Sequence, residues 1–335
     1  MHSTFESTHP GAPEPSPAHR LSLARIERAY GRIDPVFRDS PQFDCEPLSR
    51  ALGVHSAVLK VETANPLRSF KGRGADFFMQ ENLERLAKRP LVCASAGNWG
   101  QAMAWSCRAL QRKLTVYAAR NANEFKLARI REMGAEVRLF GEDFDSAKAE
   151  AKRWCDEAGA VFVEDGAAAE VSEGAGTIGL ELLRGGASFE VLLIPLGNGA
   201  LATGIGRWVK AHAPNVQVIA VAASGADAMA ASWRAGKVVE RASVQTIADG
   251  IAVRVPVSEA VDDMRGTLDD VVLVDDDAIQ RAMRLVWRHA GQLVEPAGAA
   301  GVAAMLAHPH WRGLRVATVL CGSNLTGDQI ARWLA

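Results

Sequence analysis

Three small-residue loops and one lysine hold the residue types in this 335-residue chain that could do chemistry. Each loop begins at or just after the end of a short apolar run; the loops are residues 94–101 (ASAGNWGQ), 195–204 (PLGNGALATG) and 320–324 (LCGSN). Lys71 lies in the run 65–75 (NPLRSFKGRGA), among small residues and two arginines. Open α/β sheets bind ligands at the carboxyl ends of their strands, so we expect the site at these loops.

Lys71 has the surroundings of a reactive amine. The nearby Arg68 and Arg73 are expected to lower the pKa of its ammonium group, and the deprotonated amine is the form that makes Schiff bases. A solvated surface lysine is the alternative that the residue type alone leaves open.

The loop at 195–204 has the composition of an anion-binding turn. Small residues let backbone N–H groups converge on an anion, and the dipole of the following helix adds to the attraction. No Lys-Ser/Thr pair follows, which argues against a nucleoside-triphosphate loop. No acidic residue ends the next apolar run at 216–221, which disfavours a dinucleotide site. A plain strand-to-helix turn stays open.

The elements that must position these segments alternate between apolar runs and helical patterns. Helices are predicted at 70–86, 99–110 and 124–133, and from Thr326 onward. The alternation predicts parallel strands with crossover helices on both faces, which is an α/β fold. The predicted strands are 57–61, 90–93, 114–118, 137–140, 161–163, 191–195, 216–221 and 315–320.

Composition and charge indicate a globular protein with a small-molecule partner. Hydrophobic residues make up 48% and charged residues 23%, and the length suits two domains. The 38 Lys and Arg residues nearly balance the 39 Asp and Glu residues, so no overall field favours nucleic acid or a membrane surface. No stretch approaches the roughly 20 apolar residues that cross a bilayer.

The five cysteines and the first 20 residues indicate a cytoplasmic protein. The cysteines are far apart and include no CxxC pair, which argues against a zinc site and favours reduced thiols. Residues 1–20 are rich in Ser and Pro and hold no apolar run, so they predict a disordered arm rather than a secretory signal.

The run 69–75 (SFKGRGA) closely resembles the lysine motif of the fold-type II pyridoxal-phosphate enzymes. This is the tryptophan-synthase-β superfamily, which contains the threonine and serine dehydratases. The resemblance extends from about Arg32 to Asn324. It includes the substrate-carboxylate loop at 94–101, the phosphate loop at 197–204, two runs of the dehydratase branch at 246–253 and 295–299, and the pyridine-nitrogen partner at 321–324.

The resemblance implies a fold-type II enzyme with two three-layer α/β/α domains and mostly parallel sheets. Residues 21–89 and 168–335 would form a large domain that binds pyridoxal 5′-phosphate. Residues 90–167 would form a small inserted domain that holds the substrate carboxylate. A homodimer is also implied by the resemblance, because composition does not show one.

The resemblance also implies roles for individual residues. Lys71 would hold the cofactor as an imine and then take the α-proton, and Cys321 would contact the pyridine nitrogen. Asn98 would reach the ring hydroxyl of the cofactor and would also help to bind the substrate. The other implied cofactor residues are Phe70, Gly197, Asn198, Gly199 and Ala200, and the other implied substrate residues are Ser95, Ala96, Gly97 and Trp99.

Departures from the family pattern narrow the expected reaction. Serine racemases carry a hydroxyl where this chain has Ala96, so dehydration is favoured over racemisation. Members with a cation site have an acidic residue near 222–223, where this chain has alanines and only Asp227 nearby, so no metal is expected. A thiol at Cys321 donates hydrogen bonds weakly, which favours prompt elimination over transamination.

The expected reaction is loss of water from a β-hydroxy-α-amino acid, giving a 2-oxo acid and ammonia. Threonine and serine are the first candidates, and a 3-aryl-serine stays open because Trp99 replaces a common histidine and Arg68 a common glycine. Trp99 could equally pack its helix, and Glu295 could equally cap a helix.

Three rivals remain, namely a β-replacement synthase of the cysteine-synthase type, a non-catalytic sensor of the cofactor or of amino acids, and a nicotinamide-dependent oxidoreductase. Away from the site, the three aspartates 275–277 predict a helix N-cap, and Trp208 and Trp287 are predicted to lie in the core.

Overall fold

The protein is described by a computed structural model that covers residues 19–87 and 89–334. Within these ranges, ten strands form a six-stranded and a four-stranded sheet. The strands are β1 (Gln42–Asp44), β2 (Ser56–Val61), β3 (Leu91–Ala94), β4 (Leu114–Ala118), β5 (Glu136–Leu139), β6 (Val161–Phe162), β7 (Val191–Pro195), β8 (Gln217–Ala223), β9 (Asp270–Val274) and β10 (Arg315–Leu320).

Helices cover both sheets. In the described ranges they are α1 (Leu23–Arg32), α2 (Glu46–Leu52), α3 (Lys71–Glu81), α4 (Leu83–Leu86), α5 (Asn98–Ala109), α6 (Glu124–Glu132), α7 (Phe144–Ala158), α8 (Ala169–Arg184), α9 (Ala200–His212), α10 (Ala228–Ala235), α11 (Ser258–Asp263), α12 (Asp276–Leu285), α13 (Pro296–Ala307) and α14 (Gly327–Leu334).

The larger sheet has the strand order β1-β2-β10-β7-β8-β9. Its strands pair in parallel, except that β1 runs antiparallel to β2. Every residue of β2 and β7 is buried, which agrees with apolar strands that are covered on both faces. Because β2, β7 and β10 are central neighbours, the segments that follow them start at one edge of the sheet.

The smaller sheet has the strand order β5-β4-β3-β6, and all of its pairs are parallel. Its strands fall between Leu91 and Phe162, inside the segment predicted as a small inserted domain. Helix α3 packs Ala75 and Phe78 into the same apolar cluster as this sheet. The predicted domain boundaries stay a prediction.

The α/β fold with parallel sheets is confirmed, and most of the predicted elements are present. The predicted helix at 70–86 is divided at Asn82, whose side-chain amide donates to the carbonyl of Phe78 at 2.8 Å. Such a side-chain bond competes with the helical backbone pattern. Two strands, β1 and β9, were not predicted.

The core is apolar, and the structure contradicts one core prediction. Trp208 is buried, but Trp287 is 51% exposed. A π-helical turn at Val286–Ala290 follows α12 and changes the angular spacing of its residues, so Trp287 turns toward solvent. The N-cap prediction is confirmed, because the Asp275 carboxylate accepts from the N–H of Ala278 at 2.7 Å.

The predicted arm, the cysteines and the helices can each be compared with the sequence predictions. Residues 1–18 of the predicted arm lie outside the described residues, and the last two arm residues, His19 and Arg20, contact Asp263. All five cysteines are buried and free. No helix in the described ranges has the length and apolar character needed to cross a bilayer.

A buried ion cluster fastens α3 to the larger sheet. Arg73 is completely buried and donates to Glu62 at 2.8 Å and to Glu181 of α8 at 2.6 Å. Lys60 of β2 donates to the second oxygen of Glu181 at 2.6 Å. The cluster fixes the beginning of α3, which starts at Lys71.

Candidate active site

Lys71 is the first residue of α3 and is held against the loop that follows β10. The N–H of Phe70 donates to the carbonyl of Cys321 at 3.1 Å, and Ser69 forms a bridge with Gly322. The Lys71 ammonium lies 4.6 Å from the centre of the Phe70 ring. The strand ends therefore bring the lysine motif and residues 321–324 together, as the sequence predicts.

The Lys71 ammonium forms an ion pair with Asp165. Asp165 follows β6 and is only 5% exposed, and its second oxygen, Oδ1, is buried without a hydrogen-bond partner among the described residues. The sequence prediction missed this residue. Its place just after a strand was an available signal, but Glu-Asp-Gly at 164–166 also has the composition of an ordinary turn.

The predicted phosphate loop forms the turn between β7 and α9. Gly199 has φ +95°, a conformation that suits glycine. The N–H groups of Gly197, Asn198, Gly199 and Ala200 donate to no protein acceptor in the part of the chain described. Four free N–H groups at a helix N-terminus have the donors and the dipole that suit an anion.

Close backbone contacts connect this turn to the rest of the site. A Cβ atom on Gly166 would lie 2.3 Å from the carbonyl oxygen of Asn198, so the segment that carries Asp165 rests on the turn. A Cβ atom on Gly197 would lie 2.8 Å from the carbonyl oxygen of Gly250. Gly250 lies in the predicted dehydratase run 246–253.

The predicted carboxylate loop forms the turn between β3 and α5. Ser95 is anchored by its own N–H to the carbonyl of Tyr117 at 3.0 Å, and its hydroxyl accepts from the N–H of Gly97 at 3.1 Å. The N–H groups of Ala96, Asn98 and Trp99 find no acceptor among residues 19–87 and 89–334. Like the turn between β7 and α9, this helix N-terminus has N–H groups that suit an anion.

The side chain of Trp99 lies in the core beside the smaller sheet. It is 5% exposed, and its indole N–H donates to the carbonyl of Val163 at 3.4 Å. These contacts favour the packing role that the sequence left open for the indole. The backbone N–H of Trp99 has no acceptor among the described residues, so it remains available as a donor.

Glu295 joins two asparagines into a clamp across the site. Its carboxylate accepts from the side-chain amide of Asn98 at 2.7 Å and from the N–H of Asn324 at 2.9 Å. Asn324 in turn donates its side-chain amide to the Oδ1 atom of Asn98 at 2.7 Å. Glu295 makes no capping bond at α13, so the capping alternative is not seen.

The clamp fixes the orientation of the Asn98 amide. One of its two N–H bonds goes to Glu295 and its oxygen accepts from Asn324, which leaves a single N–H free to donate. A Cβ atom on Gly322 would lie 2.3 Å from the Glu295 carboxylate, so the clamp also fits closely on the loop after β10. Sequence analysis gave no role to the Asn324 side chain.

Glu295 has an unusual proton affinity. Burial raises its pKa to about 7, and the nearby negative charge of Asp249 adds to this effect. Lys126 of α6 forms an ion pair with Asp249 beside the clamp. Burial alone would lower the pKa of Lys126, but the carboxylates of Asp249 and Glu295 together raise it.

Cys321 is buried and keeps a neutral thiol. Burial raises the pKa of the thiol, and the negative charge of Glu295 raises it further, while Lys71 acts in the opposite direction. A neutral thiol is a weak donor and a weak acceptor, so it would not stabilise a proton on a neighbouring ring nitrogen.

Two other positions singled out in the sequence have defined surroundings. Arg68 is exposed and adopts φ +50°, where its carbonyl accepts from the N–H of Ser323 at 2.9 Å. Asp227 is bound through both of its oxygens by the guanidinium of Arg241, at 2.7 and 2.8 Å. Among the described residues, no group of three or more possible metal ligands is present.

These residues fit the cofactor that the sequence implies. The four free N–H groups of the turn at 197–200 suit a phosphate, and the Lys71 amine suits an aldehyde. The single free N–H of Asn98 suits a ring hydroxyl, and the neutral Cys321 thiol suits a ring nitrogen. The contacts above connect all four groups in one region.

Known proteins resemble this chain over nearly its whole length. The sequence profile of the family described as "Pyridoxal-phosphate dependent enzyme" matches residues 33–322. An L-threonine ammonia-lyase of Thermotoga maritima is 35% identical, covering 93% of this chain and 78% of that protein. The chloroplastic biosynthetic threonine dehydratase of Arabidopsis thaliana is 34% identical over 87% of this chain, which spans half the length of that protein.

The fold also resembles that of solved structures. The solved structure of maize serine racemase superposes with a TM-score of 0.87 at 26% identity, covering 93% of this chain and 96% of that one.

Proposed function

Because the chain belongs to the family of pyridoxal-phosphate-dependent enzymes, we propose that it is an ammonia-lyase that removes water from a β-hydroxy-α-amino acid. Such a carbon–oxygen lyase gives a 2-oxo acid and ammonia, with threonine or serine as the first candidate substrates. The observation that carries the proposal is the arrangement of the Lys71 amine, which connects through Asp165 and Gly166 to the four free N–H groups of the turn.

The cofactor would supply an aldehyde for the Lys71 amine and an electron-withdrawing ring. The N–H groups of residues 197–200 would bind its phosphate, and Asn98 would donate its one free N–H to the ring hydroxyl. The Lys71 amine would take the proton from Cα. Its place at the start of α3 is fixed by the buried Arg73 cluster.

The turn at 95–99 would bind the substrate carboxylate. The free N–H groups of Ala96, Asn98 and Trp99 would donate to it at the N-terminus of α5. Ser95 shapes the turn, because its hydroxyl accepts from the N–H of Gly97. Binding the carboxylate here would place the amino acid near Lys71, because the clamp holds Asn98 close to Gly322, which forms a bridge with Ser69 just before Lys71.

Two features support elimination over related reactions. Ala96 has no hydroxyl to act as a base on the face opposite Lys71, although a serine racemase is among the structural relatives. The neutral thiol of Cys321 cannot hold a proton on the ring nitrogen as a carboxylate does, which supports loss of the β-substituent over transamination. The homodimer and the cytoplasmic location stay predictions.

A substrate screen tests the proposal. Purified protein that has been supplied with the cofactor is mixed with threonine, serine and 3-phenylserine, and ammonia and 2-oxo acid are measured. We expect equal amounts of the two products from at least one of them. Lys71→Ala should lose both the visible absorbance of the bound cofactor and at least about 10³-fold in turnover. The exposed Lys113→Ala should keep both.

Release of neither product from any hydroxy amino acid would refute the proposal. Adding sulfide separates it from the β-replacement alternative, since a synthase of that type would form a sulfur-containing product in place of the 2-oxo acid.

A further inference from the structure

The carboxylate of Asp165, beside Lys71, has one oxygen with a hydrogen-bond partner and one without. Asp165 gives Oδ2 to the Lys71 ammonium, while Oδ1 is buried without a partner among the described residues. An unpaired buried carboxylate oxygen is costly, so its persistence indicates that a ligand completes it. The other oxygen of the same carboxylate contacts the Lys71 amine, so a ligand that binds at this amine is within reach of Oδ1.

The protein holds Asp165 in place from both sides. The next residue, Gly166, has φ +91° and rests on the carbonyl of Asn198. The preceding residue, Glu164, is bound by Lys148 and by Lys152, the latter at 2.8 Å. Arg20 donates to the carbonyls of Gly166 and Ala167 at 3.4 and 2.5 Å. A side chain fixed in this way can keep its geometry when its partner leaves.

The ion pair between Asp165 and Lys71 cannot persist through the whole reaction. When the Lys71 nitrogen carries no ammonium charge, the Asp165 carboxylate has lost its only ion-pair partner in the described part of the chain. A buried carboxylate without a partner needs a hydrogen-bond donor to complete it. The β-hydroxyl of the substrate is such a donor, and it must receive a proton before it can leave as water.

We propose that Asp165 is the catalytic acid that protonates the leaving β-hydroxyl, and that Lys71 returns the proton to it. The Lys71 amine takes the Cα proton and becomes an ammonium, and the Cα–H electron pair forms the Cα–Cβ double bond. As the Cβ–O bond breaks, protonated Asp165 gives its proton to the departing oxygen, which leaves as water. The Lys71 ammonium then passes its proton to the Asp165 carboxylate through their direct contact, and both groups are restored.

The inference rests on the proposed function, and a pair of substrates tests it. The cofactor-loaded enzyme is assayed with the hydroxy amino acid that it turns over fastest and with β-chloro-L-alanine, whose chloride leaves without a proton. Asp165→Asn keeps the size of the side chain but removes the acid. We expect kcat/KM for the hydroxy substrate to fall by about 10²–10³-fold, and by less than about tenfold for the chloro substrate.

A second measurement follows the proton that Lys71 takes. In deuterium oxide, Asp165→Asn should still exchange the Cα hydrogen of the hydroxy substrate, as seen by NMR, and should retain the visible absorbance of the bound cofactor. Asp165→Glu keeps an acid and should recover at least about tenfold over Asp165→Asn. The control Glu157→Gln alters an exposed carboxylate that pairs with Arg153 on the surface of α7, and it should leave both substrates within about twofold of wild type.

The outcomes separate the two proposals. Equal losses on both substrates, no loss on either, or loss of Cα exchange would overturn the role of Asp165. Wild type that is inactive on every hydroxy amino acid, yet active on the chloro substrate, would instead refute the dehydratase function.

Discussion

At the scale of single residues, Glu295 connects proton binding to the shape of the site. As a carboxylate it accepts from both Asn98 and Asn324, and Asn324 completes the clamp on Asn98. As a carboxylic acid, one of its oxygens carries a hydrogen and no longer accepts well. Because its pKa is about 7, this change falls in the range where enzymes are assayed.

Glu295→Gln should therefore change the pH profile. We expect wild-type kcat/KM to fall as the pH drops through about 7. The glutamine variant should lack this acidic limb. It should also be roughly 10–100-fold less active at pH 8, because the glutamine NH₂ group would face an N–H donor of Asn98 or Asn324 and could not accept from it. If Glu295→Gln still lost kcat/KM as the pH drops through about 7, another group would be the cause of that loss.

Glu295 also affects stability, and the sign is defined. Its pKa in the folded protein, about 7, exceeds the ordinary value of 4.5, so the folded state binds more protons between these values. The stabilising contribution is complete below about pH 4.5 and is lost as the pH rises through 7. Urea unfolding at pH 5 and pH 8 measures this. Between these two pH values the free energy of unfolding of wild type should fall by roughly 1–3 kcal/mol more than that of Glu295→Gln.

The sequence predicted some site residues better than others. Lys71 and the glycines of the turn at 197–200 have local signals, because a reactive amine and an anion-binding turn each need particular neighbours. Asp165 and Asn324 lack such neighbours because their partners lie far away in the chain, and the position of Asp165 just after a strand is one that ordinary turns share. Only the folded chain shows that Asp165 lies beside Lys71.

At the scale of elements, turns with positive φ decide how closely the loops approach each other. Gly166 and Gly134 have nearly the same φ, +91° and +87°, but only Gly166 has a neighbour where a Cβ atom would lie. The two glycines therefore separate the cost of the backbone conformation from the cost of the contact with Asn198.

Gly166→Ala should push Asn198 away from the position that the phosphate turn requires. We expect its affinity for the cofactor, measured by absorbance titration, to fall at least about tenfold, a loss of one buried hydrogen bond or more. Gly134→Ala should bind the cofactor within about twofold of wild type, although both variants lose about 1–2 kcal/mol of stability to strain. Equal affinities for the two variants would mean that the contact at Gly166 is unimportant.

The strands show why some elements escape prediction. β1 is Gln-Phe-Asp, which has no apolar run, and it exists only because β2 offers it an antiparallel partner. β9 has an apolar core but lies between acidic residues, at the edge of the larger sheet beside β8. Strands at the edges of a sheet depend on pairing more than on their own sequence.

At the scale of the whole molecule, the buried cluster around Arg73 joins the lysine helix, the larger sheet and α8. Arg73→Met would remove the positive charge that pairs with the buried carboxylates of Glu62 and Glu181. We expect a loss of roughly 3–5 kcal/mol in the free energy of unfolding, measured in urea.

The control Arg153→Met removes a guanidinium that pairs with Glu150 and Glu157 on the surface of α7, and it should not change stability measurably. Similar midpoints for the two variants would show that the buried cluster adds nothing beyond surface pairing.

The amino-terminal part of the described chain reaches the active site through Arg20. This side chain binds Asp263 and donates to the carbonyls of Gly166 and Ala167, one and two residues beyond Asp165. Trimming the protein past Arg20, or fusing a tag directly to it, would therefore disturb the segment that carries the catalytic carboxylate.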